Sequence, residues 1–134
     1  MSSVFQDYYT DERPPRNLIR TWYSLQDARV RATFDGTVGL IESYSSDDWD
    51  RFSPFKLLER ECAGLWELVI DIKDRKPFRH IRPLGVWHVE ERLFVFLGAF
   101  EKSGYIYKPS DACKEALKYK AQHENGRGAI DDHR

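Results

Sequence analysis

The chemistry-bearing residues of this chain crowd into its second half. Lys73, Arg75, Lys76, Arg79 and Arg82 form the densest basic stretch, interrupted by Asp74. Lys102 closes an apolar run and Lys108 precedes Pro109. Fixed guanidinium and ammonium groups suit a phosphate: arginine offers a planar fork that matches phosphate oxygens, and lysine a compact charge. The ordinary alternative for such a run is a solvated loop. His80 and His88 are the natural proton-transfer candidates, because imidazole titrates near neutrality. The ordinary reading of each is a bland strand histidine. His123 and His133 fall late in the last helix and the tail, where a surface role is expected. No His, Cys and Asp grouping has metal-ligand spacing, so neither metal nor cofactor is expected. Gly126-Arg127-Gly128 follows a helix instead of a strand and is no phosphate loop.

The elements that must position these groups form an α+β pattern. Residues 4–9 read as a short strand. After Pro14-Pro15, with Pro15 in a first helical turn, Leu18, Trp22 and Leu25 make one helical stripe. Asp27 is a plausible cap for a second helix carrying Val30, Phe34, Val38 and Ile41. Together they predict an antiparallel helical hairpin. Residues 45–54, with the acidic Asp47-Asp48-Trp49-Asp50 group, read as a loop. From residue 65 the period becomes two. Trp66, Leu68, Ile70 and Ile72 face one way; Glu67, Val69 and Asp71 face the other. Residues 78–89 are β-rich, with a bulge or bend expected at Pro83 and Gly85. Residues 93–100 are apolar on both faces, as in a covered central strand. Ser110 and Asp111 open a last helix that should stop near Asn125-Gly126. Residues 128–134 read as a frayed tail.

At 134 residues the default is a single domain, 1–134. The net charge of −1 is mild evidence against nucleic acid, which usually selects basic surfaces. That charge is uneven: residues 1–55 hold six Lys/Arg against nine Asp/Glu, and residues 56–134 hold fifteen against thirteen. Cys62 and Cys113 are too few for a disulfide framework and are expected as thiols. No signal-peptide or membrane-span pattern is visible, so the chain reads as cytoplasmic.

Several short motifs, in order, resemble the RelE/HigB-type toxins of bacterial toxin–antitoxin pairs, and most nearly the phage-associated HigB-like branch. Pro54-Phe55-Lys56-Leu57-Leu58 is similar to the family's P-x-K-x-L approach. Gly64-Leu65-Trp66-Glu67-Leu68 is similar to its GLWELR strand, and Phe78-Arg79 to its YR. Phe94 to Lys102 is similar to vLLhgFxKK, and Lys108-Pro109 with Ala112 or Ala116 to KTPxxEIxxA. The likeness spans residues 4 to 125. It implies the RelE-like fold: a small antiparallel sheet, an N-terminal helical hairpin and a C-terminal helix. It also implies a metal-independent, ribosome-dependent messenger-RNA endonuclease, restrained by an antitoxin protein. In that scheme the 2′-hydroxyl beside the scissile phosphate attacks it. Arg79, Lys102 and Tyr107 (with Tyr105 as the alternative tyrosine) are then the catalytic candidates; Lys73, Arg75, Lys76, Arg82 and Lys108 hold RNA phosphates. The alternative for Arg79 is a structural ion pair with Glu67 or Asp71. The alternative for Lys102 is a strand-end lysine that blunts the sheet, and for the tyrosines packing on the last helix. Val69 stands where the family has an arginine, Ser103 where it has a second lysine, and Phe78 where it has a tyrosine; Tyr105-Ile106-Tyr107 is an insertion. Those departures favour a second expectation, a binding module that kept the fold and engages a protein or RNA partner.

Overall fold

The computed structural model describes residues 4–44, 55–74, 76–104 and 106–133. The expected loop at 45–54, with its acidic group, lies outside the described residues, as do Arg75 and Tyr105. Twelve segments follow in order: β1 (Phe5–Tyr9), α1 (Leu18–Ser24), α2 (Ala28–Ser43), β2 (Phe55–Leu57), a 3-10 turn (Arg60–Cys62), β3 (Trp66–Leu68), β4 (Ile70–Ile72), β5 (Arg79–His88), β6 (Leu93–Ser103), β7 (Ile106–Lys108), α3 (Ala112–Glu124) and β8 (Ala129–Asp132). The α+β class and the helix–helix succession follow the sequence pattern.

Local signals explain most of these elements. Asp27 caps α2 by accepting from Val30 N–H, as its position before an apolar helical period suggests. In α1 the cap is Asn17, which accepts from Arg20 N–H, so Pro15 stands before the helix instead of inside it. Ile19 is the buried residue of α1, and Leu25, expected on its stripe, is exposed at the C-cap. Asp111 holds the N-cap position of α3 without a side-chain cap, in place of Ser110. Helix α3 ends at Asn125, and Gly126 follows with φ +74°, the left-handed conformation that glycine adopts without penalty.

The sheet is mixed, not purely antiparallel. Its main order is β2-β3-β5-β6-β1-β8, with β4 also on β5 and β7 also on β6. Strand β1 runs parallel to β6. Strand β6 separates two cores, as its two apolar faces require. Phe94 and Phe96 join Phe5, Phe34, Phe55, Ile70, Ile72 and Ile81. Val95 and Leu97 join Tyr8, Leu65, Leu84, Cys113 and Ala116. The first core is largely aromatic: Phe55 stacks on Phe94 at 4.3 Å and Phe5 on Phe96 at 5.1 Å between ring centroids. Each such buried phenylalanine stabilises the fold by roughly 1.5–3 kcal/mol.

The irregularity expected at Pro83 and Gly85 is a register shift between Leu84 and Gly85. The same residues explain why residues 65–72 form two strands where one was expected. Trp66 pairs Gly85 and Ile70 pairs Ile81. That constant register sets Leu68 opposite Pro83, which has no N–H to give, and the ladder breaks between β3 and β4. At Gly85 a Cβ would sit 2.2 Å from Val95 O and 2.7 Å from the Phe94 ring. Gly85→Ala is therefore expected to destabilise the fold by about 2–3 kcal/mol, the upper end of overpacking costs. Urea unfolding checks this, and an unchanged midpoint contradicts it.

Two further expectations are overturned. Residues 129–132 are not a frayed tail: β8 pairs antiparallel with β1, Gln6 opposite Asp132 and Tyr9 opposite Ala129. Cys62 and Cys113 are not free thiols: they form a disulfide, with Cα atoms 5.2 Å apart across 51 residues.

Candidate functional site

Strand alternation sorts the catalytic candidates onto different faces. Arg79 is opposite Ile72, and Glu101 is opposite Ile81 and Lys108. These belong to the face that packs on α2. There the Arg79 guanidinium pairs with Glu101, donates to Gln26 Oε1 at 3.3 Å and lies 3.9 Å from Asp27. Its partner is a carboxylate on the adjacent strand, but it is Glu101 and not Glu67 or Asp71. Lys102 and Tyr107, directly opposite each other on β6 and β7, belong to the other face. Arg79 is thus not brought to Lys102 and Tyr107.

The second face carries a connected polar strip. Asp71 on β4 is opposite His80 on β5. The β5–β6 ladder ends at the Ile81–Glu101 pair; His80 precedes it on β5, Lys102 follows it on β6 so that both take the opposite face, and Lys102 faces Tyr107. Asp71, His80, Lys102 and Tyr107, on four strands, thus share one face. His80 Nδ1 lies 2.8 Å from Asp71 Oδ1. A carboxylate only accepts, so Nδ1 carries a proton, and in the neutral imidazole the lone pair is on Nε2. Arg82 donates to the same Asp71 oxygen at 2.9 Å and to Ile81 O at 3.0 Å. Burial pushes the Asp71 carboxyl up, but the hydrogen bonds and charges of His80 and Arg82 outweigh it and hold it below its ordinary value. It stays ionised and keeps His80 oriented.

The inner end of the strip is buried. Glu67 is 2% exposed, although the alternation of its strand read as half solvated. Its carboxylate accepts from the Tyr107 hydroxyl at 2.5 Å and lies 4.0 Å from Arg82 Nε. A carboxylate there requires such partners, because burying an unpaired charge is costly. Burial, then the bond to Glu67, raises the Tyr107 phenol far above its ordinary range, so it stays protonated. Tyr107 therefore serves as a donor and a ring, not as a base. Lys102 Nζ sits 5.1 Å from the centre of that ring, a cation–π contact that fixes the ammonium. Lys102 and Tyr107 form one side of a cleft of about 460 Å³, whose other side is residues 56–62.

The basic residues expected at phosphates are dispersed. Lys73 is exposed and 3.9 Å from Asp71; Lys76 is exposed beyond β4. Lys108 is exposed on the Arg79 side. Arg82, 12% exposed, is held by Asp71 and backbone carbonyls.

No family model, curated protein or solved structure matches the chain. The likeness to the RelE/HigB-type toxins therefore rests on the sequence motifs. Among the described residues no group of three or more His, Cys, Asp or Glu could hold a metal ion, and no helix is long and apolar enough to cross a membrane.

Two polar pairs gave no sequence signal. His133, expected at the surface, is buried with Nδ1 2.7 Å from Asp7 Oδ1, and its ring packs edge-on to Phe34 and Phe96. Asn17 donates to the other Asp7 oxygen at 2.8 Å. His88 and His123 meet Nε2 to Nε2 at 2.9 Å, so one ring donates and the other accepts. Burial, then the charge of His88, lowers the His123 imidazole below its ordinary 6.5; Glu124 opposes this weakly. The unfolded chain thus takes up a proton before the folded one does. Stability is complete above that value and falls on acidification. The unfolding midpoint is expected to drop as the pH falls below about 6.5, with a shallower drop in His123→Gln. Equal slopes for both proteins would remove this pair from the acid response.

Proposed function

We propose that this chain is an RNA endonuclease of the toxin kind that its motifs resemble, acting through the sheet face that carries His80, Lys102 and Tyr107. The observation that carries the reading is the Asp71–His80 hydrogen bond on the face that also carries Lys102 and Tyr107. His80 Nε2 takes the proton of the 2′-hydroxyl, whose oxygen attacks the adjacent phosphorus. Lys102 stabilises the charge that develops on the phosphoryl oxygens. The P–O5′ bond breaks, and the protonated imidazole returns its proton to the leaving 5′-oxygen. The products are a 2′,3′-cyclic phosphate and a 5′-hydroxyl. Tyr107 positions Lys102, Asp71 positions His80, and Arg82 positions Asp71. Lys73 and Lys76 attract the RNA backbone; Arg79 braces the helical hairpin against the sheet. Messenger RNA on the ribosome is the substrate, and a cytoplasmic antitoxin protein is the restraining partner.

The binding-module reading has an observation of its own. Arg79 is neutralised by Glu101, and Arg82 by Asp71 and Glu67. A face so internally paired suits a protein partner better than a polyanion. Induced production of the chain in a bacterial host separates the two. The nuclease reading expects growth arrest, with primer-extension stops on a translated reporter and none when its start codon is removed. Normal growth and intact message from a demonstrably folded protein support the binding module.

A further inference from the structure

We infer that Cys62–Cys113 is a reversible redox site that sets the wall of the Lys102–Tyr107 cleft. The inference rests on the proposed nuclease reading only for its effect on RNA. One side of the cleft is a single segment, residues 56–62, comprising the end of β2 and the turn that follows it. Strands β2 and β3 form a hairpin at the sheet edge, and residues 58–65 are its loop. Four backbone hydrogen bonds hold that loop: Leu58 N–H to Leu65 O, Cys62 N–H to Glu59 O, Ala63 N–H to Arg60 O and Leu65 N–H to Cys62 O. Arg60 sits at φ +58°, a left-handed conformation that disfavours a side-chain-bearing residue. The covalent tie between this loop and the body of the protein is the bond from Cys62 to Cys113, the second residue of α3. An edge hairpin with a left-handed turn is tied to a helix by one disulfide and by the burial of Leu65 against it, and the cleft wall is that hairpin.

The disulfide borders two grooves, with Cys62 6% and Cys113 5% exposed. Cys62 lines the Lys102–Tyr107 cleft, and Cys113 lines a second groove of about 510 Å³ with Glu61, Ser110, Lys114 and Leu117. When the loop opens locally, a thiolate of a dithiol reductant attacks one sulfur and forms a mixed disulfide, releasing the other cysteine as a thiolate. The second thiol of the reductant then displaces the first. The protein gains two electrons and two protons as two thiols, and the reductant leaves as its disulfide. In a compartment that keeps thiols reduced, disulfides are typically transient or regulatory. Closing the bond fixes the wall opposite Lys102 and preorganises the cleft; opening it loosens residues 58–65.

The test equilibrates the full chain at graded ratios of reduced to oxidised glutathione, traps thiols by alkylation and weighs the products. Amide exchange of residues 58–65 and cleavage of a translated message are followed at each ratio. The expected result is reversible conversion with the chain still folded, an about tenfold loss of amide protection in 58–65 on reduction, and an about tenfold fall in cleavage. A pair that stays oxidised at every ratio, that never closes, or whose reduction unfolds the whole chain overturns the inference, as does conversion with unchanged protection. Conversion with lost protection, but no cleavage by either form, upholds the redox site and overturns the nuclease reading. Cys62→Ser and Cys113→Ser, each made singly, should reproduce the reduced form at all ratios.

Discussion

Replacing His80 by alanine is expected to slow RNA cleavage by about 10²–10⁴-fold, the usual contribution of a positioned general acid–base, while the unfolding midpoint barely moves. The His80 ring is partly exposed, and its one described partner is Asp71. Asp71 keeps Arg82 at 2.9 Å when the imidazole is gone, so no buried charge is stranded. Lys102→Ala should also impair the rate, through lost stabilisation of the phosphoryl charge. Arg79→Ala should behave in the opposite way. It leaves Glu101 without its guanidinium and weakens the contact to Gln26 and Asp27, so stability falls before the rate does. Parallel rate and urea measurements on the three variants check the division. If Arg79→Ala abolishes cleavage in a fully stable protein while His80→Ala cuts normally, the proposed face is the wrong one.

The second large effect concerns the C-terminus. Asp7 and His133 are 3% and 7% exposed, and each relies on the other. Beyond that pair, β8 adds the β1 ladder, a Gln6 to Asp132 bond at 2.6 Å and a bond from His133 N–H to Phe5 O at 2.9 Å. Ending the chain at residue 128 removes all of this and leaves the Asp7 carboxylate buried with Asn17. Leaving a buried carboxylate without one of its hydrogen-bond partners costs about 1–3 kcal/mol or more. Native domains are stable by only about 5–15 kcal/mol. The truncated chain should therefore lose a large part of its urea midpoint, and His133→Ala a smaller part. A truncated protein with the full-length midpoint would return these residues to the role of a dispensable tail.

That tail shows where sequence reading reaches its limit. The second helix was legible because a capping aspartate and a 3.6-residue apolar period are local signals, and Asp27 and Phe34 carry them. The central strand was legible because both of its faces are apolar, and the bulge because proline lacks a donor. Strand β8 was not, since its pairing joins residues 126 positions apart and residues 129–132 alternate weakly. The same distance effect hid the disulfide, whose partners are 51 residues apart and lack a spacing pattern.

The site was legible in part. Lys102 and Tyr107 do meet, because a short turn forces β6 and β7 to be neighbours. Arg79 does not join them, since which face it takes depends on the β5–β6 register around the Leu84–Gly85 shift, and no residue type announces that register. Glu67 read as solvated because α3, which covers that face, lies some fifty residues further along the chain. His80 carried a chemical signal in its imidazole, but its orienting partner Asp71 becomes visible only when β4 is laid against β5.

The most direct test of the account is the chemistry of the RNA ends in cells producing the wild-type chain and His80→Ala. Attack by the 2′-hydroxyl leaves 5′-hydroxyl ends on the downstream fragments. New 5′-hydroxyl ends within translated messages are expected for the wild type, and their near-complete loss in His80→Ala. New 5′-phosphate ends, no new ends from a folded protein, or the same ends from His80→Ala would contradict it.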